Sequence, residues 1–218
     1  MSILDALTEE DRNVYQVPGV TAGIVTNNKD PDKLGRVKLK FPWLSDDNET
    51  GWVRIAVLMA GADRGTVFLP EVGDEVLVAF EHGDINSPYV IGALWNPKAK
   101  PPEGNADGKN NIRKITSRSG HEIIFDDNST QKKEKLEIHT KAGHKVVLDD
   151  SAGQEKIEII DKTGSNKMVI DSVQNSINIE SAAQLKIKGN IVEIEATGSL
   201  TVKSSAVLTL QGMPVKIN

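Results

Sequence analysis

The sequence predicts an all-β protein in two parts, a small antiparallel barrel followed by a stack of repeated short strands. Three observations indicate this division. All nine aromatic residues lie at or before Phe125, and eight of the nine prolines lie at or before Pro102. The first part alternates short apolar–polar segments with turns, whereas the second repeats itself at a nearly fixed spacing. A chain of 218 residues has room for one large domain or two small ones.

Composition excludes several classes of protein. The chain has no cysteine, so it carries no disulfide framework, thiolate nucleophile or cysteine-based zinc site. Its first 13 residues lack the cationic start and apolar run of a signal peptide, and no segment approaches the ~20 apolar residues of a membrane helix. The formal net charge of −5 argues against a dedicated nucleic-acid binder. We therefore expect a folded protein made in the cytoplasm.

The first 17 residues are predicted to form a helical segment, with Ile3, Leu4 and Leu7 on one face. A helix this short is marginal alone, so we expect it to dock on another protein. Residues 18–95 then alternate strand and turn signals, which predicts a small barrel. The predicted strands are residues 21–26, 36–41, 52–59, 67–69, 75–81 and 89–95.

Several motifs in this part resemble the OB-fold domain of the spikes of contractile injection systems. They are, in order, GIVTNNKDPDKLGRVKLKFPW (residues 23–43), WVRIA (52–56), FLPEVGDEVLV (68–78) and GDINSPYVIG (83–92). The family comprises the valine–glycine repeat spike proteins of type VI secretion, phage baseplate assembly protein V, and the spikes of phage-tail-like particles. SRSGHEIIFDD (117–127) resembles the entry to the family's β-helical needle. The resemblance implies a five-stranded OB-fold barrel over residues 18–95.

A connector rich in proline and lysine, residues 96–111, separates the barrel from the predicted needle at residues 112–218. In the needle, GHEIIFDD (120–127) recurs as GHKVVLDD (143–150), a period of 23 residues. From Ile177 onward the pattern tightens to apolar–polar–apolar triplets whose starts are 7 or 8 residues apart. Such self-similarity predicts a stacked architecture in which each repeat adds one rung.

A single ribbon of this kind would leave its edges open and one apolar face bare, so it would not persist alone. Three chains wrapped about one axis would solve both problems, each strand pairing with a neighbouring chain. This is the intertwined triple-stranded β-helix that the resemblance also implies. A single-chain parallel β-helix would show the same kind of sequence repeat, so it stays an alternative. The predicted trimer core consists of Ile179, Ile187, Ile194, Val202 and Leu210.

The predicted needle ends directly after its last rung. In the resembled family a PAAR-repeat protein caps the blunt tip, and this resemblance implies a tip-binding surface. Its candidate residues are Met213, Pro214, Val215, Ile217 and Asn218. The alternative interpretation is that these residues only close the shaft.

The sequence offers little chemistry. His121 and His144 occupy equivalent repeat positions, but they read as turn residues, and Asp126-Asp127 and Asp149-Asp150 read as strand-ending turns. We predict no catalytic residue, no cofactor and no metal site. The OB fold raises single-stranded nucleic acid as a ligand. The residues that would bind it are Arg36, Lys38 and Lys40, together with Trp43 and Trp52. We interpret the three cations instead as a solvated strand face, and the two tryptophans as barrel core or interface.

The sequence therefore predicts a non-enzymatic homotrimeric spike. Its OB-fold end would dock on a baseplate hub protein, its tip would carry the PAAR-repeat protein, and it would contact the target membrane transiently. No large hub domain precedes the barrel, which favours a phage tail or an extracellular phage-tail-like particle. A single-stranded nucleic-acid-binding protein and a trimeric adhesin or glycan-binding fibre are the alternatives.

Overall fold

The structure is a computed structural model that describes residues 16–44 and 48–216. The predicted N-terminal helix lies outside the described residues except for its last two positions. The chain divides into two compact units, residues 1–114 and 115–218. Within the described residues, no helix is long and apolar enough to cross a bilayer.

The first unit contains a five-stranded sheet that curls into a barrel. Its strand order is β2-β1-β6-β7-β3, with antiparallel neighbours except for the parallel β7–β3 pair. A bridge between Val37 and Val53 joins the two ends of this order, with N–O distances of 3.0 and 2.7 Å. The strands are β1 (Val20–Asn27), β2 (Lys38–Lys40), β3 (Arg54–Ile55), β6 (Glu75–Phe80) and β7 (Pro88–Ala93). The predicted small barrel is confirmed.

The barrel core is built from alternating side chains. In β6, Val76, Val78 and Phe80 are buried while the residues between them are half-buried. Phe80 packs on Phe41 at a ring-centroid distance of 5.6 Å. Gly23 lies against this core, where a Cβ would come within 3.2 Å of Val78 Cγ2. The other members of the core are Val25, Val37, Leu39, Val53 and Val90.

The loop between β1 and β2 is organised by Asp30, whose side chain is 3% exposed. One carboxylate oxygen accepts the backbone N–H of Leu34 and Arg36 Nε, at 3.0 and 2.9 Å. The other accepts the backbone N–H of Asp32 and Arg36 Nη2, at 3.1 and 2.8 Å. The Arg36 guanidinium holds the pKa of Asp30 well below its usual range. This network accounts for the two aspartates and the arginine of the DPDKLGR segment.

The second sheet is a seven-stranded meander of order β14-β13-β12-β11-β10-β9-β8. Each of the pairs from β9 to β14 is antiparallel and in continuous register over five residues. The strands are β8 (Ile112–Thr116), β9 (Glu122–Asp126), β10 (Lys135–His139), β11 (Lys145–Asp149), β12 (Lys156–Ile160), β13 (Lys167–Asp171) and β14 (Ser176–Glu180). The predicted all-β class is confirmed.

The structure corrects two strand predictions in the first unit. The predicted strand at residues 52–59 is only two residues long, and residues 67–69 form no strand. The reason is that the chain leaves the barrel after Ala56 as a projecting ribbon. In that ribbon β4 (Ala60–Gly61) pairs only with β5 (Arg64–Gly65).

The predicted pairing of every needle strand with a neighbouring chain is wrong for β9 to β14. These strands pair within one chain, because turns of a few residues return each strand alongside its predecessor. Residues 181–216 differ: they contain no strand, and every one of them is exposed. The predicted triplets from Leu185 onward therefore have no partner strand inside the chain.

We predict that Asp30→Asn lowers the melting temperature of the first unit by roughly 5 °C at neutral pH. The amide loses the charge that pairs with Arg36. Because the folded pKa of Asp30 is depressed, its stabilisation is present above about pH 4 and is lost as pH falls further. Tryptophan fluorescence reports this unit alone, since Trp43, Trp52 and Trp95 all lie in it.

Asp32→Asn is the matched control. Asp32 also contacts Arg36, but its side chain is 65% exposed, so its replacement should shift the midpoint by only about 1–2 °C. Equal shifts for the two variants, or a shift for Asp30→Asn that persists unchanged below pH 3, would contradict this account.

Candidate assembly surfaces

From β9 to β14, one face of the second sheet is entirely apolar, and we call it the apolar face. Cross-strand partners share a face of a sheet, so the register identifies the whole set. From β9 to β14 each strand contributes two residues to it. They are Ile123, Phe125, Leu136, Ile138, Val146, Leu148, Ile157, Ile159, Met168, Ile170, Ile177 and Ile179.

Much of this face is exposed among the residues that the structure describes. Ile177 is 65% exposed, Ile179 54% and Ile159 51%. A shallow groove of about 480 Å³ runs over it between Ile138, Ile159 and Ile179. A contiguous set of twelve large apolar side chains in water is typical of an interaction surface and not of a free protein surface.

The opposite face, which we call the polar face, carries charged rows along the strand ends. In one row the residues facing each other across the strands alternate in sign. This row is Asp126, Lys135, Asp149, Lys156 and Asp171. At the other end of the strands Lys167 Nζ lies 3.2 Å from Glu180 Oε2. Opposite charges across a strand pair stabilise it, so the polar face fixes the register of the sheet.

Asp149 is the anchor of this row. It is only 4% exposed, and Lys135 Nζ lies 3.0 Å from its Oδ2. Burial alone would raise the pKa of Asp149. The adjoining Ser151, whose backbone N–H donates at 2.9 Å, and the Lys135 cation outweigh burial and hold that pKa below its usual range. The same ion pair raises the pKa of Lys135.

The predicted trimer-core residues fall in two places. Ile179 lies on the apolar face, in β14. The other four, Ile187, Ile194, Val202 and Leu210, lie in residues 181–216, which we call the tail, and each is about two-thirds exposed. Of the predicted tip residues, Met213 is fully exposed, and Pro214 and Val215 are exposed as well. Ile217 and Asn218 lie outside the described residues.

A second apolar surface lies on the first unit, on the ribbon of residues 57–69, which we call the arm. Leu58 is 93% exposed, Val67 88% and Phe68 68%. A groove of about 560 Å³ on one side of the arm and another of about 360 Å³ are both lined by Ile55 and Phe68. A two-stranded ribbon with apolar residues on both sides is marginal by itself, so this shape indicates a docking element. Sequence reasoning took these residues for barrel strands and missed the surface.

The predicted cationic face is largely neutralised by neighbouring carboxylates. Arg36 is bound by Asp30 and Asp32, and Lys38 Nζ lies 2.7 Å from Glu49 Oε2. The hydrogen bond from Lys38, together with one from Thr26, lowers the pKa of Glu49. Cations paired in this way are poorly available to phosphates.

The two tryptophans near this face are not core residues. Trp52 is half-buried, with Arg36 and Lys38 at 6.0 and 5.6 Å from its ring centroid. Trp43 is 49% exposed, and its Nε1 donates to Thr21 Oγ1 at 3.0 Å. Of the two predicted roles, barrel core is therefore wrong, and an interface stays a prediction for both rings. Phe41 and Phe80 fill the space instead, because they alternate inward on their strands.

The residues considered for chemistry occupy turns. Asp126 and Asp149 accept backbone N–H groups two residues on, at 3.1 and 2.9 Å, and so close the turns that follow β9 and β11. His121 and His144 accept backbone hydrogen bonds through Nδ1. Among the described residues, no group of three or more histidines and carboxylates could hold a metal ion.

Comparison with known proteins identifies residues 21–95 as a match to the type VI secretion system/phage-baseplate injector OB domain. The type VI secretion system spike protein VgrG2a of Pseudomonas aeruginosa is 39% identical over 82 residues, which are 36% of this chain and 10% of that protein. VgrG3 of Vibrio cholerae is 37% identical over 82 residues, 36% of this chain and 8% of that protein.

A longer match joins this chain to the spike protein VgrG1a of Pseudomonas aeruginosa. It is 29% identical over 113 residues, which are 49% of this chain and 17% of that protein. The chain thus aligns with no more than about a sixth of these relatives. The predicted resemblance to spike proteins of injection systems is confirmed, and it is strongest over the barrel.

We predict that Lys135→Met destabilises the second unit by about 2 kcal/mol, because it leaves the buried Asp149 carboxylate without its cation. The folded pKa of Asp149 is depressed, so this loss is full above about pH 4 and shrinks as pH falls below it. The measurement is urea unfolding at fixed protein concentration, followed by far-ultraviolet circular dichroism. Tryptophan fluorescence separates out the first unit.

Lys133→Met, at an exposed lysine in the preceding turn, is the control and should cost less than about 0.5 kcal/mol. If both variants unfold at the same urea concentration, the ion pair does not stabilise the sheet.

Proposed function

We propose that the protein is the non-enzymatic, homotrimeric central spike of a contractile injection machine. The observation that carries this proposal is the apolar face of the second sheet, which the chain leaves bare. Three copies whose apolar faces meet on a common axis would bury it, while their polar faces stay in water. The family match of residues 21–95 to an injector OB domain supports the same role.

The tail also supports association between copies of this chain. Its backbone forms no strand inside the chain, although its apolar–polar–apolar triplets recur every 7 or 8 residues. The backbone N–H and C=O groups of buried strands need hydrogen-bond partners, and neighbouring copies of the chain can supply them. We propose that Ile187, Ile194, Val202 and Leu210 fill the axis of the tail, as Ile179 does at the last strand of the sheet.

This architecture suits a mechanical role. When a sheath contracts, the shaft must transmit axial force to the target envelope without bending. Three sheets sharing an aliphatic core, followed by three interwoven tails, would spread that force over many backbone hydrogen bonds. Met213, Pro214 and Val215 would form part of the surface that receives a PAAR-repeat tip protein, together with Ile217 and Asn218.

The arm is the surface that we propose for the baseplate hub. It belongs to the OB-fold unit, which by resemblance faces the hub, and its side chains are almost all apolar. The only charged residues in the arm are Asp63, in the turn between β4 and β5, and Arg64, the first residue of β5. We infer an apolar partner and not a charged one.

The trimer is tested by mass and by one matched pair of substitutions. Light scattering should give three times the chain mass of 23.7 kDa. Ile159→Glu places a charge on the apolar face between Val146 and Met168 and should abolish the trimer. Ile160→Glu, on the polar face between Lys145 and Lys167, should leave it intact. A wild-type monomer, or trimers from both variants, would overturn the proposal.

The hub contact is tested by Leu58→Asp in purified particles. We expect the variant to remain trimeric but to fall at least tenfold in its incorporation into particles, because a carboxylate in an apolar contact costs several kcal/mol. Asp63→Asn, at the tip of the same arm, is the control and should incorporate normally. Loss of the trimer in Leu58→Asp would instead make the arm a contact between copies.

A further inference from the structure

Three turns on one edge of the second sheet share a hydrogen-bond pattern. They join β8 to β9, β10 to β11 and β12 to β13, and each contains a glycine with positive φ: Gly120 (+83°), Gly143 (+99°) and Gly164 (+74°). In each, the side-chain oxygen of the first turn residue accepts the backbone N–H of the residue that closes the turn. These three pairs are Ser117 with His121 (3.0 Å), Thr140 with His144 (3.1 Å) and Asp161 with Asn166 (3.3 Å).

The residue that closes each turn also reaches the next turn along the edge. His121 Nδ1 accepts the backbone N–H of Lys141 at 3.4 Å, and His144 Nδ1 accepts that of Lys162 at 3.2 Å. Asn166 Oδ1 accepts the N–H of Ala182 at 3.2 Å. In every case the donor is the second residue of the following turn. Three side chains thus link four successive turns into one column.

The first two turns of this column lie close to the turn that follows each of them. A Cβ on Gly120 would meet the Lys141 side chain at 3.7 Å, and one on Gly143 would meet that of Lys162 at 3.6 Å. Both are ordinary contact distances, so the positive φ of these glycines, and not a lack of space, is what favours glycine there. The column runs from the first turn to Ser181 and Ala182, where the sheet ends and the tail begins.

The three acceptors differ in one chemical respect. An imidazole accepts through Nδ1 only while that nitrogen carries no proton, whereas an amide oxygen accepts at any physiological pH. We propose that His121 and His144 form proton-sensitive hydrogen bonds between successive turns, and that Asn166 forms the proton-insensitive equivalent. The inference rests on contacts within one chain and does not depend on the number of copies.

The charged groups around the two imidazoles are mostly cations. Around His121 they are Arg118, Glu122 and, in the next turn, Lys141. Around His144 they are Lys145, Lys162, Lys167 and Asp161.

The acidic arm of the test is set at pH 5.0, below the ordinary imidazole pKa of about 6.5. Hydrogen bonds from Asn166 and Thr163 lower the pKa of Asp161 to about 2, so Asp161 stays ionised throughout. It cannot itself produce a change between pH 7.5 and 5.0.

The test is amide hydrogen exchange of the full-length protein at pH 7.5 and 5.0, with millisecond labelling and single-residue fragmentation. Protection factors correct for the intrinsic effect of pH on exchange. We expect the protection factors of Lys141 and Lys162 to fall by about threefold to tenfold in acid, the worth of one hydrogen bond. That of Ala182 should not change. If the protection factors of Lys141 and Lys162 change no more than that of Ala182, the proposal is overturned.

Replacement by asparagine supplies the decisive variant, because the third turn shows that asparagine can make this contact. In His121→Asn with His144→Asn, all three amides should be equally protected at both pH values. Persistence of the acid response in this variant would refute the assignment. If the double variant does not fold, the single variants serve instead. His121→Asn should abolish the acid response of the Lys141 amide alone, and His144→Asn that of the Lys162 amide alone. Light scattering at both pH values shows whether any loss of protection comes instead from dissociation of the assembly.

Discussion

An uncovered apolar sheet face is the constraint on which the rest of the second unit depends. The meander pairs β9 to β13 on both sides within the chain and leaves the outer edge of β14 without a strand partner among the described residues. From β9 to β14 it turns two large apolar side chains per strand to the same side, so strand pairing is nearly complete where hydrophobic burial is not. The polar face cannot supply the missing cover, because it lies on the opposite side of the same sheet. Burial of the apolar face therefore requires another surface, whereas the barrel buries its own closed core of valine, leucine and phenylalanine.

The sequence predicted this contrast from the distribution of aromatics and from period-two alternation. The barrel strands at Val20–Asn27 and Glu75–Phe80 lie within one residue of the expected bounds, since their inward residues are strictly alternating. The repeat at His121 and His144 located β9 and β11, because glycine followed by alternating residues signals a turn and a strand. Local pattern was sufficient in these places.

The same reasoning failed where the outcome depends on which partner a strand finds. Apolar residues such as Leu58 and Phe68 have a strand-like pattern, but no neighbour in the barrel accepts them, and they form the arm. Alternation in β9 to β14 is equally compatible with a partner in the same chain or in another, so it could not distinguish the meander from interwoven chains. Trp52 illustrates a third limit. Its place between two cations depends on Asp30 and Glu49, which position Arg36 and Lys38 from distant points of the chain.

The meander also has a consequence for how the chain acquires its structure. Every strand pair from β9 to β14 joins consecutive segments, so all of its contacts are local in sequence, and topologies of low contact order form quickly. Such a sheet can grow one hairpin at a time as the polypeptide leaves the ribosome, starting from its N-terminal edge. The tail forms no strand in the single chain and has no such sequential route. In the proposed trimer, the barrel and the sheet can therefore form their strand pairs before a second copy arrives, whereas the tail acquires strand partners only on assembly.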